Sequence, residues 1–221
     1  MAKKKLIHFQ ENLSFPHLFQ PTYSDLYPGY PMRSKWHEQF FGNDHPITLE
    51  LGCGKGEYTV GLAAKYPEKN FIGMDWKGAR LWRGCKTVAD EGLKNVGFIR
   101  TQVDHIEQVF APGEISEIWI TFPDPQVRKA RRRLTAPFFL DKYRNVLSAD
   151  GIIHLKTDDP FFYSYTLDVI HDYAFGVMWC TDDLYQTGMI DDVLTIQTYY
   201  EKRWLAMEKK ICYLKFQLNT L

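Results

Sequence analysis

Cysteine is scarce in this chain of 221 residues, and the little there is does not cluster. Cys53, Cys85, Cys180 and Cys212 stand far apart and form no Cys-x-x-Cys pair. That spacing argues against a structural zinc site and against a disulfide framework, so no metal and a reducing, cytoplasmic setting are expected. No apolar run approaches the roughly 20 residues that a membrane helix needs, so no membrane partner is expected. Lys3, Lys4 and Lys5 are not followed by the long apolar core of a secretory signal. Charge of one sign is missing as well: 27 basic residues balance 27 acidic ones. Net charge therefore makes no case for nucleic acid, and any such case must come from local clustering. Internal repeats and low-complexity tracts are absent.

What is present is enough for a core. Hydrophobic residues make up 45% of the chain, with 15 Phe and 13 Tyr. This length predicts one main domain, over 46–221, with an extension over 1–45. The extension is expected to be irregular, because Pro16, Pro21, Pro28, Gly29 and Pro31 interrupt it. Its aromatics, from Phe15 to Phe41, are costly to leave in water and predict an arm packed on the domain. Contact with a substrate is the alternative. A short helix is expected near Ser34–Phe41.

From Ile47 the pattern is regular. Strands are expected at Ile47–Leu51, Asn70–Met74, Val96–Arg100, Glu117–Thr121 and Gly151–Lys156, with later candidates at Val177–Thr181 and Ile211–Gln217. Helices are expected at Glu57–Lys65, Gly78–Glu91, His105–Phe110, Pro137–Leu147 and Pro160–Tyr173. Asp150-Gly151 reads as a turn, and 122–133 fits neither period. Alternation of this kind predicts an α/β fold with a mostly parallel central sheet and helices on both faces.

The first informative stretch is Ile47–Tyr58, ITLELGCGKGEY. A strand, a glycine turn and a helix bring backbone close to a ligand at the carboxyl end of a parallel strand. A purely structural turn is the bland alternative, and Lys55 is read as a solvated residue. Asp75 ends the next strand, where an acid can accept hydrogen bonds from both hydroxyls of a ribose. Gly52-Cys53-Gly54-Lys55-Gly56 is G-x-G-x-G, not the G-x-G-x-x-G of dinucleotide sites. Glu50, inside the strand, would repel a pyrophosphate and suits a cationic ligand such as S-adenosylmethionine. These two features weigh against a nicotinamide oxidoreductase. Asp104 follows the third strand and either reaches an adenine amino group or caps a helix.

The second is Thr121–Leu134, TFPDPQVRKARRRL. Asp124 lies between two prolines that restrict the backbone around its carboxylate. Arg128, Lys129, Arg131, Arg132 and Arg133 then place five cations in six residues. A solvated face is the usual meaning of such a run. At the carboxyl end of a sheet strand, phosphate contacts are the better expectation.

In these motifs together, the chain resembles the bacterial tRNA (guanine-N7-)-methyltransferases. The resemblance runs over roughly Trp36 to Tyr200 and rests on FGNDHPITLELGCGKG, GMD, FPDP with a basic run ending RRRL, KTDD and TYYE. It implies a Rossmann-like class I methyltransferase that moves a methyl group from S-adenosylmethionine to guanosine 46 in the variable loop of tRNA. It also implies the site. Glu50, Gly52, Gly54, Asp75, Asp104 and Asp124 would hold cofactor, and Asp124 would also be catalytic. Arg128, Asp158, Thr198, Tyr199, Tyr200 and Glu201 would hold substrate, and Lys129, Arg131, Arg132 and Arg133 would contact RNA. Asp158 has a second reading as a helix cap ahead of Pro160. Gln126 replaces a usual Trp, and the basic run is shorter than usual and lacks its His. Alternatives are a small-molecule methyltransferase and a non-catalytic RNA-binding protein with a vestigial pocket. Monomer and homodimer are both compatible with the sequence.

Overall fold

The structure is a computed structural model that describes residues 2–27, 29–188 and 193–219. Its residues gather into two compact units, Met1–Ala111 and Pro112–Leu221.

The first unit is built on four parallel strands in the order β1-β4-β3-β2, namely β1 (Leu18–Phe19), β4 (Val96–Ile99), β3 (Asn70–Met74) and β2 (Ile47–Leu51). Every residue of β2, β3 and β4 is buried, which is why these strands read as near-continuous apolar runs and not as alternation. The helices α3 (Glu57–Lys65) and α4 (Gly78–Glu91) make the crossovers. The second stops at Gly92, whose φ of 67° is a left-handed helix end. Pairing of Leu51 with Met74 and of Met74 with Ile99 aligns the carboxyl ends of three strands. Everything that follows β2, β3 and β4 therefore emerges along one edge of this unit.

The expectation that residues 1–45 lack regular structure is corrected. They form α1 (Ala2–Glu11), β1, α2 (Tyr23–Leu26) and a π-helical turn at Trp36–Phe41, where a short helix was expected. The prolines lie between these elements and do not prevent them. A two-residue strand gives no period to read, and its order comes from pairing with β4. Trp36 is completely buried, donates from Nε1 to the Val109 carbonyl at 3.1 Å, and contacts the rings of Phe19, Phe40 and Phe110.

The second unit orders its strands β5 (Ile115–Thr121), β6 (Leu147–Thr157), β8 (Cys212–Gln217) and β7 (Gly176–Thr181). β5 and β6 are parallel, and β8 runs antiparallel to both its neighbours. The helices are α6 (Pro137–Val146), α7 (Pro160–Asp172) and α8 (Tyr199–Leu205). Asp150-Gly151 is not a turn but lies inside β6, where the register with β5 shifts between Ile115 and Glu117. Such a bulge absorbs the extra residues without ending the strand. Trp119 and His154 are cross-strand neighbours stacked at 3.9 Å, and His154 Nδ1 shares a 2.7 Å hydrogen bond with the Tyr213 hydroxyl. Among the described residues, no helix is long and apolar enough to cross a membrane.

Candidate functional site

In the first unit, the turn after β2 is set by three glycines at alternate positions. Gly52, Gly54 and Gly56 have φ of 71°, 59° and 69°, a region that side chains with a Cβ avoid. Gly56 is doubly constrained, because an added Cβ would come within 2.5 Å of the Phe98 ring. At Gly54 the surroundings are open, the nearest neighbour of an added Cβ being the Gly52 carbonyl at 3.9 Å. The turn thus presents bare backbone on one side and packs hard on the other. That is the cradle a bound nucleoside needs, so these residues fit a nucleoside cofactor.

Asp75 staples the turn. One carboxylate oxygen accepts from the Gly54 amide at 3.0 Å and the other from Lys77 N at 2.7 Å. Each oxygen retains acceptor capacity beyond these bonds, so both remain able to receive ribose hydroxyls. Glu50 is buried in β2, and its Oε2 accepts from the Thr59 amide at 2.9 Å and from the Thr59 hydroxyl. A carboxylate at the first turn of α3 complements the helix dipole as well as a cationic ligand. Cys53 lies between the two acids. Burial, then the charges of Glu50 and Asp75, push its thiol well above the ordinary range. That shift favours the thiol over the nucleophilic thiolate.

Asp104 is exposed in the single turn Val103–His105 and makes no capping hydrogen bond there or at the following helix, α5 (Ile106–Val109). Trp76, which the sequence reading passed over, and Tyr23, an arm aromatic expected to pack on the domain, stand nearby in the fold. Trp76 and Tyr23 are 61% and 70% exposed, and with Arg100, Thr101, Gln102 and His105 they line a cavity of about 350 Å³. Trp76 follows Asp75 directly, so an aromatic next to the acid that ends β3 was a signal available in the sequence, although its exposure was not.

In the second unit, Asp124 is exposed on the loop after β5, and its Oδ1 accepts from Gln126 N at 3.0 Å. Phe122 and Gln126, on either side, have φ of 48° and 46°. Two non-glycine residues in that region store strain, which persists only where surroundings enforce it. Arg133 braces the segment around Gln126, while Phe122 N donates to the Lys156 carbonyl at 2.8 Å. Arg133 is buried, donates to the carbonyls of Pro125 at 3.2 Å and Val127 at 3.1 Å, and lies over the rings of Phe161 and Tyr165. Expected on the RNA face, this arginine is turned inward as the clamp of the Asp124 loop. Arg128, Lys129, Arg131 and Arg132 are exposed.

Asp158 follows β6 and pairs with Lys209 at 2.7 Å. The helix cap is Asp159, which accepts from Phe162 N at 2.8 Å, so the capping alternative for Asp158 is set aside. Asp158, Tyr163, Asp182, Lys209, Lys210 and Cys212 line a cavity of about 550 Å³. The TYYE stretch forms the start of α8, a helix absent from the sequence reading. Tyr199 and Tyr200 are 51% and 40% exposed, with rings edge to face at 5.6 Å. Thr198 and Glu201 are buried: Thr198 Oγ1 caps α8 by accepting from Glu201 N at 3.2 Å. Among the described residues, no group of three or more His, Cys, Asp or Glu could hold a metal ion.

Residues 44–214 match a family described as "Putative methyltransferase". The chain is 51% identical over 220 residues to a tRNA (guanine-N(7)-)-methyltransferase of Bacteroides thetaiotaomicron, covering 99% of this chain and 87% of that protein. It is 51% identical to one from Christiangramia forsetii over 222 residues, covering 99% of each. Among solved structures it resembles the 16S rRNA methyltransferase KamB, with a TM-score of 0.63 at 12% identity over 81% of this chain and 90% of that one. It also resembles the 16S rRNA (adenine(1408)-N(1))-methyltransferase from Catenulisporales acidiphilia, with a TM-score of 0.60 at 14% identity over 85% and 94%. At such identities the likeness is one of fold.

Proposed function

Because this chain belongs to the tRNA (guanine-N(7)-)-methyltransferase family, we propose that it methylates N7 of the guanosine at position 46, in the variable loop of tRNA. S-adenosylmethionine supplies an electrophilic methyl group. The observation that carries the reading is the loop after β5. There a carboxylate is held between two strained residues, clamped by a buried arginine, and followed by four exposed cations.

Guanine N7 carries an in-plane lone pair and no proton, so no general base is required. Orientation and electrostatics are left as the work of the protein. Asp75 and the open side of the glycine turn hold the cofactor ribose. Glu50 balances the positive charge of the amino acid end, and Asp104 lies within the cofactor half as an adenine contact. Asp124 contacts the cofactor, fixes the base and stabilises the positive charge that develops on it. Asp158 accepts from the donor edge of guanine, and the exposed rings of Tyr199 and Tyr200 suit stacking against bases. Replacing guanosine 46 by adenosine in a tRNA transcript abolishes methylation on this reading. Undiminished transfer to that transcript assigns the enzyme a different position.

Arg128, Lys129, Arg131 and Arg132 contact phosphates. Changing all four to Ala weakens tRNA binding and flattens its salt dependence, log Kd against log salt, by about 0.7–0.9 for each phosphate no longer neutralised. Arg133→Ala behaves differently, lowering thermal stability and activity while leaving the salt slope as it was. A quadruple variant with the wild-type slope makes the run ordinary surface.

A further inference from the structure

Lys156 and Glu201 are each wholly buried, with Nζ 2.7 Å from Oε1. Lys156 also donates to the Leu194 carbonyl at 3.2 Å. The Tyr185 hydroxyl donates to the same Oε1 at 2.9 Å and itself accepts from Gln197 Nε2 at 3.1 Å. The other oxygen, Oε2, is sealed from solvent and has no hydrogen-bond partner among the described residues. A carboxylate enclosed in this way is not presented to a ligand. Its location in the chain says what it can do instead. Lys156 stands on β6 two residues before Asp158, and Glu201 on α8 directly after Tyr199 and Tyr200. The ion pair therefore ties the strand end that carries Asp158 to the helix start that carries the two exposed rings.

We infer that Lys156 and Glu201 are positioning residues: their buried pair sets the place of Tyr199 and Tyr200 relative to Asp158, and Glu201 does not itself touch the base. This rests on the reading of the chain as a tRNA methyltransferase. A buried ion pair is well suited to the task, because removing one partner leaves the other buried charge without its counter-ion whereas an apolar pair of similar size refills the space. Specificity of placement comes from the strand and helix, and the pair keeps them joined.

The test is a double-mutant cycle on the full chain, with tRNA methylation kinetics, cofactor affinity and thermal unfolding measured together. Glu201→Met alone removes the counter-ion of Lys156 and is expected to raise the KM for tRNA about tenfold or more, with cofactor affinity within about twofold of wild type. Lys156→Met/Glu201→Met is expected to return the KM most of the way to wild type. Tyr199→Leu is expected to raise KM in the wild-type background and to add little to Glu201→Met, since misplaced rings have less to lose. A double variant as impaired as Glu201→Met overturns the inference and assigns Glu201 to the base directly. Single variants that unfold at lower temperature with unchanged KM and kcat overturn it too, leaving the pair a stability device. Should the methionine pair not fold, Lys156→Gln/Glu201→Gln, which keeps a neutral hydrogen bond, reads the same comparison. Failure of the wild-type chain to methylate any tRNA is a separate result, and it removes the functional reading on which the inference stands.

Discussion

Asp124→Ala abolishes methyl transfer, a fall of about a hundredfold or more in kcat, while cofactor binding is at most weakened. The expectation follows from where the strain is stored. Phe122 and Gln126 hold left-handed φ on either side of this residue, and Arg133 clamps the carbonyls of Pro125 and Val127. The clamp does not involve the Asp124 side chain, which accepts from Gln126 N at 3.0 Å. An alanine therefore removes the carboxylate and that local hydrogen bond but leaves the clamp. Asp124→Asn is the sharper variant, since its amide oxygen can keep the bond to Gln126 N while the charge is gone. If charge on Asp124 stabilises the cation formed on the base, the asparagine is nearly as inactive as the alanine. Near-normal turnover of either variant sinks the role. Single-turnover kinetics with enzyme in excess over tRNA separate the chemical step from binding.

Asp75→Ala produces the second large effect, on the cofactor. The carboxylate receives Gly54 N and Lys77 N, and on the proposed reading it also receives the ribose. Hydrogen bonds to a charged acceptor contribute about 1.5–3 kcal/mol each, so losing two to the ribose raises the Kd for S-adenosylmethionine about a hundredfold or more. The same change leaves the Gly54 amide without its acceptor and loosens the turn. Asp75→Asn does not restore affinity, because its amino group faces one of the two backbone N–H donors. Calorimetric titration measures both variants directly. A Kd within a few-fold of wild type would place the ribose elsewhere.

Much of this fold is legible in the sequence. The strands Ile47–Leu51 and Asn70–Met74 and the helices Glu57–Lys65 and Gly78–Glu91 lie where the sequence places them. Their apolar runs, glycine turns and helix stops all point to the same local structure. The parts that were not legible share a cause: their state is decided by partners distant in the chain. A two-residue strand at Leu18–Phe19 exists only as the neighbour of β4. Asp150-Gly151 has turn chemistry, yet β5 pairs across it and a bulge takes up the difference. In a run of five cations nothing local marks Arg133 as the buried one, because Phe161 and Tyr165, which cover it, come from α7. Glu201 follows two exposed tyrosines and reads as their companion, but Lys156, 45 residues earlier, draws it into the interior. Exposure is the property that a short motif does not encode. Among residues that one motif had grouped together, the structure separates those that face solvent from those that hold them in place.

The central claim is that the chain makes N7-methylguanosine in tRNA. The most direct measurement incubates the purified protein with unmodified tRNA and methyl-labelled S-adenosylmethionine, digests the RNA, and identifies the labelled nucleoside by mass spectrometry. The account predicts label in N7-methylguanosine and in no other nucleoside. Label in a different nucleoside, or none in tRNA under conditions where the protein binds the cofactor, contradicts it.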